Sequence, residues 1–138
     1  MSLAELEGDV VILACAVSAG IHGALVSGHF EEGAGAGLGF AASTVALAGL
    51  VVWLTRRPES RKALAAAAAV FTGLLAAYAL ATTTGLPLLH PDPEPVDALA
   101  LATKAIEAVG LLVTARLLLR PVAVTFPNPN PNPKGIPT

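Results

Sequence analysis

The stretch VVILACAVSAGIHGALVSGHFEEG, residues 10–33, decides the fold of this chain. Its first part, residues 10–28, is apolar and has about the length of 20 residues that a helix needs to cross the hydrocarbon core of a bilayer. Two histidines, His22 and His29, nevertheless lie in or directly after this run, and two glutamates follow. The stretch therefore predicts a membrane-spanning helix with titratable groups near one end.

The composition of the whole chain also indicates a membrane protein. Of 138 residues, 54% are hydrophobic and 13% are charged, and the mean hydropathy is +0.70. A soluble domain carries about twice that charged fraction. The net charge of -2 leaves no basic surface for a nucleic-acid partner. The single cysteine, Cys15, excludes an internal disulfide and a zinc ribbon. The acidic start, MSLAELEGD, lacks the basic region of a secretory signal, so we expect the first hydrophobic run to be retained.

Four apolar runs are long enough to cross a bilayer. They cover residues 10–28, 35–54, 63–83 and 96–119. We therefore predict an all-α integral membrane protein, a four-transmembrane-helix bundle built from residues 1–121. Small residues four apart, as at Gly35 and Gly39 or at Gly73 and Ala77, predict close helix packing.

The tail, residues 122–138, alternates proline with asparagine and is predicted to be extended. An ordered tail of this composition needs a surface to lie against. The tail therefore suggests contact with a neighbouring chain, either in a homo-oligomer or in a larger membrane complex.

The charges are divided unevenly between the loops. Basic residues on one side are Arg56, Arg57, Arg61, Lys62, Arg116, Arg120 and Lys134. The positive-inside rule makes this side cytoplasmic, so a multi-pass plasma-membrane protein with both termini inside is predicted. The opposite loops, residues 29–34 and 85–95, contain no lysine or arginine but hold carboxylates and two of the three histidines.

Polar residues form one stripe on the first predicted helix. His22 and His29 are seven residues apart, which places them about 20° apart around the helix and about 10 Å apart along it. Cys15 and Ser18 lie on the same face, and Glu32 joins it if the helix continues past Gly28. Burial of an unpartnered polar group in lipid costs several kcal/mol, so the stripe is predicted to face the bundle interior.

A second polar stripe follows the last predicted helix. Asp97, Lys104 and Glu107 lie within about 80° of one another, and Glu107 is about 15 Å deeper than Asp97. An ionisable residue near the bilayer centre is a functional hypothesis by default. Two structural interpretations stay open: an ion pair between Lys104 and Glu107, and a histidine, His22, that simply bonds to Glu107.

Imidazole nitrogen and carboxylate oxygen are donors that divalent transition ions accept. The predicted ligands are His22, His29, Glu32, Glu107 and, from the outer loop, His90. Asp97, Lys104 and Cys15 are predicted to act as a proton relay or to support those ligands. The lone methionine, Met1, argues against a Cu(I) site, so copper(II), zinc and iron stay open as the ion. Haem fits less well because His22 and His29 share one helix face.

The chain resembles small four-span membrane proteins of high-GC actinobacteria. The residues that carry the resemblance are His22, His29, Glu32, Gly85-Leu86-Pro87, Pro93-Glu94-Pro95-Val96, Asp97 and Glu107. It covers residues 20–110 and departs from the family pattern at Ser27-Gly28, where a Pro-Glu pair is usual. The resemblance implies the four-span fold and this residue set, but no reaction, because the family's activity is unassigned.

Three functions follow from these patterns. The leading prediction is a metal-binding integral membrane protein that holds its ion near the outer face. The alternatives are an accessory subunit of a larger respiratory or redox complex, and a proton or ion conduit through His22, Glu107 and Lys104. A hydrolytic enzyme is not expected, because no Ser-His-Asp order, Gly-rich phosphate loop or HExxH motif occurs.

Overall fold

A computed structural model describes residues 1–86, 93 and 95–121 of the chain. The described helices are α1 Leu3–Glu32, α2 Ala34–Arg56, α3 Arg61–Thr83 and α4 Ala98–Leu119. All four are long and apolar enough to cross a membrane, which confirms an all-helical fold with four candidate spans for the described part of the chain. The predictions for His90 and for the tail, residues 122–138, fall outside the described residues.

Helix α1 is longer at both ends than the apolar run that predicts it. Its first turn is closed by a capping box, in which the Ser2 hydroxyl accepts from the Glu5 backbone N–H at 3.2 Å and the Glu5 carboxylate accepts from the Ser2 N–H at 2.5 Å. The helix also continues through Gly28 to Glu32, where Gly33 ends it. Hydropathy predicts only the part of a helix that can lie in the hydrocarbon core, whereas capping residues determine where the helix begins and ends.

Short turns join the first three helices, so neighbours in sequence run antiparallel. Gly33 alone separates α1 from α2, and a turn at residues 57–60 separates α2 from α3. Helix α1 packs most extensively on α2 and also on α4, and α3 packs on α4. The α2–α3 interface is the smallest of the four. The helices therefore follow the order α2, α1, α4, α3 around the bundle.

The core is a continuous apolar cluster shared by the first three helices. Its fully buried members include Val11, Cys15, Leu47, Ala67 and Phe71. Many large apolar side chains instead point outward from the bundle, among them Leu13, Val45, Leu101, Leu112 and Leu119. An apolar exterior of this kind fits a multi-pass membrane protein whose helices contact lipid.

The tightest helix contacts lie at glycines other than Gly39 and Gly73. A β-carbon at Gly110 would come within 2.7 Å of the Phe71 ring and 3.0 Å of the Ala14 side chain, so α4 needs a glycine where it meets α3 and α1. A β-carbon at Gly39 or Gly73 would meet nothing within 4 Å.

Candidate functional site

Two polar residues of α1, Ser18 and His22, lie one turn apart and face the bundle interior. Ser18 has no exposed surface and His22 is 5% exposed. The Nδ1 atom of His22 lies 2.9 Å from the carbonyl oxygen of Ser18. Because a carbonyl can only accept, Nδ1 must carry the hydrogen, and Nε2 of the neutral ring holds the lone pair.

Helix α4 brings a carboxylate to these residues. Glu107 is fully buried, and its Oε1 accepts a hydrogen bond from the Ser18 hydroxyl at 2.7 Å. The Nε2 atom of His22 is 4.0 Å from the same oxygen. The other oxygen, Oε2, accepts from the Lys104 ammonium at 2.6 Å. We call these four residues, Ser18, His22, Lys104 and Glu107, the Glu107 cluster.

The Glu107 cluster balances its own charge. Lys104 lies one turn before Glu107 on α4, and its side chain is 15% exposed. Its ammonium also lies 5.6 Å from the ring centroid of Tyr78 on α3, within the range of a cation–π contact. A buried charge without a partner costs several kcal/mol, and here the ammonium and the carboxylate compensate each other. With a neutral imidazole, the cluster is neutral.

A second histidine–carboxylate pair repeats this geometry one heptad further along α1. The Nδ1 atom of His29 is 2.9 Å from the Leu25 carbonyl oxygen, so Nδ1 again carries the hydrogen. Its Nε2 lies 3.9 Å from the Glu32 carboxylate, whose side chain is 51% exposed. This pair therefore lies at the surface end of α1, whereas the Glu107 cluster lies deep in the bundle.

Phe40 of α2 contacts both imidazoles. Its ring stacks on His29 with centroids 3.6 Å apart and lies 5.2 Å from His22, tilted by 34°. The aromatic ring links the two histidines by apolar contact, while each imidazole nitrogen Nε2 keeps its own carboxylate neighbour. The structure thus divides the predicted site into two His–Glu pairs.

Two other predicted site residues, Cys15 and Asp97, lie apart from both pairs. Cys15 is fully buried in the apolar core. Asp97 caps the N-terminus of α4, where its carboxylate accepts from the Ala100 N–H at 2.8 Å.

The described donors do not complete a transition-metal site. Within residues 1–86, 93 and 95–121, no group of three or more His, Cys, Asp or Glu side chains is placed to hold an ion. His22 offers one nitrogen, and the nearby Glu107 oxygen, Oε1, already accepts a hydrogen bond from Ser18. The Lys104 ammonium contacts the other oxygen. Zinc sites in proteins use three or four protein ligands.

A further ionic contact, which the sequence did not predict, lies at the opposite end of α1. Glu7 is 6% exposed, and its carboxylate lies 3.5 Å from Arg116 and 2.5 Å from Arg120 of α4. The prediction started the first helix at residue 10, after this residue. Glu7 follows the capping pair Ser2 and Glu5, which was the available signal that the helix begins earlier.

No protein family, curated protein or solved structure matches this chain. The resemblance to small actinobacterial membrane proteins therefore stays a prediction, and function has to be argued from the residues themselves.

Proposed function

We propose that this protein is an integral membrane protein that binds and releases a proton at the Glu107 cluster. One observation carries the proposal: the basic nitrogen of a buried imidazole, His22 Nε2, lies 4.0 Å from the carboxylate of the fully buried Glu107. Ionisable groups inside a membrane are rare and mark ion or proton sites.

The proposed chemistry is addition of a proton to His22. The proton takes the lone pair on Nε2, because Nδ1 already donates to the Ser18 carbonyl. The cluster then gains one positive charge, and Glu107 supplies the neighbouring anion. Lys104 and Ser18 hold the two oxygens of that carboxylate, so the anion is fixed in place before the proton arrives. The reverse step returns the proton and restores a neutral cluster.

The titratable groups around His22 favour access from one end of the bundle. Glu107 and Lys104 face His22 from α4, and Tyr78 of α3 lies against Lys104. On α1, His29 lies between His22 and the surface end of the helix. Helix α2 contributes the uncharged ring of Phe40. From His22 to the half-exposed Glu32 is about 15 Å along α1. A proton entering at Glu32 and His29 therefore has a short path to His22.

The opposite end of α1 offers no comparable path. Between Ser18 and Glu7, about 16 Å along the helix, the titratable side chains of α1 are Asp9, which is exposed, and Cys15, which lies in the apolar core. This spacing supports a proton-binding site that is open to one face of the membrane. It gives less support to a conduit that runs from one face to the other.

The test is nuclear magnetic resonance of the full-length protein labelled with ¹⁵N-histidine in detergent or lipid. The two ring nitrogens report directly whether an imidazole is neutral or doubly protonated. We expect His22 to be the Nδ1–H tautomer at alkaline pH and to become doubly protonated as the pH is lowered. An imidazole that stays neutral throughout the pH range in which the protein is folded would contradict the proposal.

The two His–Glu pairs supply a matched control. At a fixed pH at which wild-type His22 is partly doubly protonated, Glu107→Gln should reduce the doubly protonated signal of His22 and leave that of His29 unchanged. Glu32→Gln should do the reverse. If neither substitution moves the His22 signal, Glu107 is not its counterion. Should Glu107→Gln fail to fold, the wild-type His22 signal alone decides the question.

Metal binding is a second candidate, favoured by one observation. The Nδ1–H of His22 donates to a backbone carbonyl, the arrangement that orients histidine ligands in metal sites. His22 and Glu107 would hold the ion, and further ligands would have to complete the site. Elemental analysis of purified wild type and of His22→Ala/His29→Ala tests this: about one ion per chain, lost in the double variant, supports it, and no ion in either rejects it.

A further inference from the structure

The basic residues at the end of the bundle that carries the α2–α3 turn fall into two groups. In the first, each guanidinium has a partner: Arg116 and Arg120 contact Glu7, and Arg61 donates to the Leu118 carbonyl oxygen at 2.6 Å. In the second, Arg56, Arg57 and Lys62 are exposed and form no ion pair with a carboxylate of the described residues. The positive charge of the second group is therefore available to a ligand.

The second group surrounds one turn. Residues 56–62, which we call the basic turn, connect α2 to α3 and contain a single acidic residue, Glu59. An open depression of about 530 Å³ lies there, lined by Arg57, Pro58, Glu59 and Ser60. Trp53, one turn earlier on α2, is 39% exposed. Tryptophan is enriched at the headgroup level of bilayers, so it places the turn at that level.

We infer that the basic turn is an interaction surface for the phosphate headgroups of anionic phospholipids. Arginine binds phosphate with a two-pronged hydrogen-bonding geometry, and clustered basic residues next to a span attract anionic lipid. The turn also lies at the end of the α2–α3 interface, the smallest of the four described helix interfaces. This inference does not depend on the proton-binding proposal.

Lipid binding to the full-length, detergent-purified protein can be measured by native mass spectrometry. The probes are phosphatidylglycerol, which is anionic, and phosphatidylcholine, which has no net charge. We expect tighter binding of phosphatidylglycerol. In Arg56→Gln/Arg57→Gln/Lys62→Gln, its affinity should fall about fivefold for each charge removed, while phosphatidylcholine binding stays constant.

Two single variants at the same end of the bundle are the controls. Arg116→Gln removes one positive charge that already contacts Glu7, and Arg120 keeps that contact, so phosphatidylglycerol binding should not change. Glu59→Gln removes the one acidic residue of the basic turn and should strengthen binding a few-fold.

Three results would overturn the inference. They are equal affinity for the two lipids, an unchanged affinity in the triple variant, and a loss of about fivefold or more in Arg116→Gln. Inorganic phosphate is added in a separate arm at millimolar concentration. If it displaces phosphatidylglycerol, the turn is a site for free phosphate and the assignment to lipid is wrong; if it does not, the lipid assignment holds.

Discussion

At the scale of single residues, Glu107 depends on Lys104 more than on any other contact. The carboxylate is fully buried, and among the described residues its shortest contact, 2.6 Å, is the only one that carries a permanent positive charge. Ser18 donates one neutral hydrogen bond to it. Loss of the ammonium would leave an anion in an apolar interior with little compensation.

We therefore predict that Lys104→Met destabilises the protein by about 3–5 kcal/mol, the usual cost of removing one partner of a buried ion pair. The double variant Lys104→Met/Glu107→Leu should recover most of that loss, because both charges are gone. Thermal unfolding in detergent measures both variants. A double variant as unstable as the single variant would show that the unpaired charge is not the cause of the lost stability.

The lone thiol allows a second prediction at this scale. Cys15 is fully buried and is the only cysteine of the chain. A maleimide should not label it in the folded protein and should label it completely after denaturation in hot SDS. Mass spectrometry reads the modification. Rapid labelling of the folded protein would show that α1 does not turn this face inward.

The sequence predicted those features of the candidate site that depend on residue spacing within a single helix. The seven-residue spacing on α1 puts Cys15, Ser18 and His22 on one face, and all three are buried. The pairing of Lys104 with Glu107 follows from their three-residue spacing on α4. The contact of Phe40 with both imidazoles could not be predicted, because it depends on how α2 slides along α1.

At the scale of helices, three elements meet at Gly110. The absent side chain lets α4 approach the ring of Phe71 on α3 and the methyl group of Ala14 on α1. Phe71 is fully buried, so its ring has little space into which to move. Interiors packed in this way resist added volume.

Gly110→Ala should therefore lower the free energy of unfolding by about 1–3 kcal/mol. Gly73→Ala is the matched control, since the same methyl group at that position meets nothing within 4 Å. It should leave stability unchanged or raise it slightly, because alanine favours a helix over glycine. Chemical unfolding in detergent compares the two. Equal losses of unfolding free energy in the two variants would mean that Gly110 packs less closely on Phe71 and Ala14 than the structure indicates.

At the scale of the whole molecule, the sequence sufficed for the number of helices and their order. Four apolar runs predict four spans, and the described residues form four helices of suitable length and composition. Their arrangement could not be predicted, because all four helices are similarly apolar. Hydropathy therefore does not show that α1 lies between α2 and α4. The role as an accessory subunit stays a prediction.

The orientation across the membrane is predicted from the charges. In a Cys15→Ala background, a cysteine at Ser60, in the basic turn, should be protected from a membrane-impermeant maleimide in intact cells. A cysteine at Gly33, between α1 and α2, should be labelled. Blotting after labelling distinguishes the two positions. The opposite pattern would place the Glu32 end in the cytoplasm.

The α1–α4 interface has a consequence for how the chain could be divided. Among the described residues, every ion pair or side-chain hydrogen bond that joins the first two helices to the last two runs between α1 and α4. The peptide link at residues 57–60, the small α2–α3 interface and the shared apolar core also join these two halves. The molecule thus consists of two hairpins with complementary charges. A gene cut at that turn would encode two fragments that carry between them both halves of each such contact. We therefore expect the two fragments to recognise each other after separate synthesis.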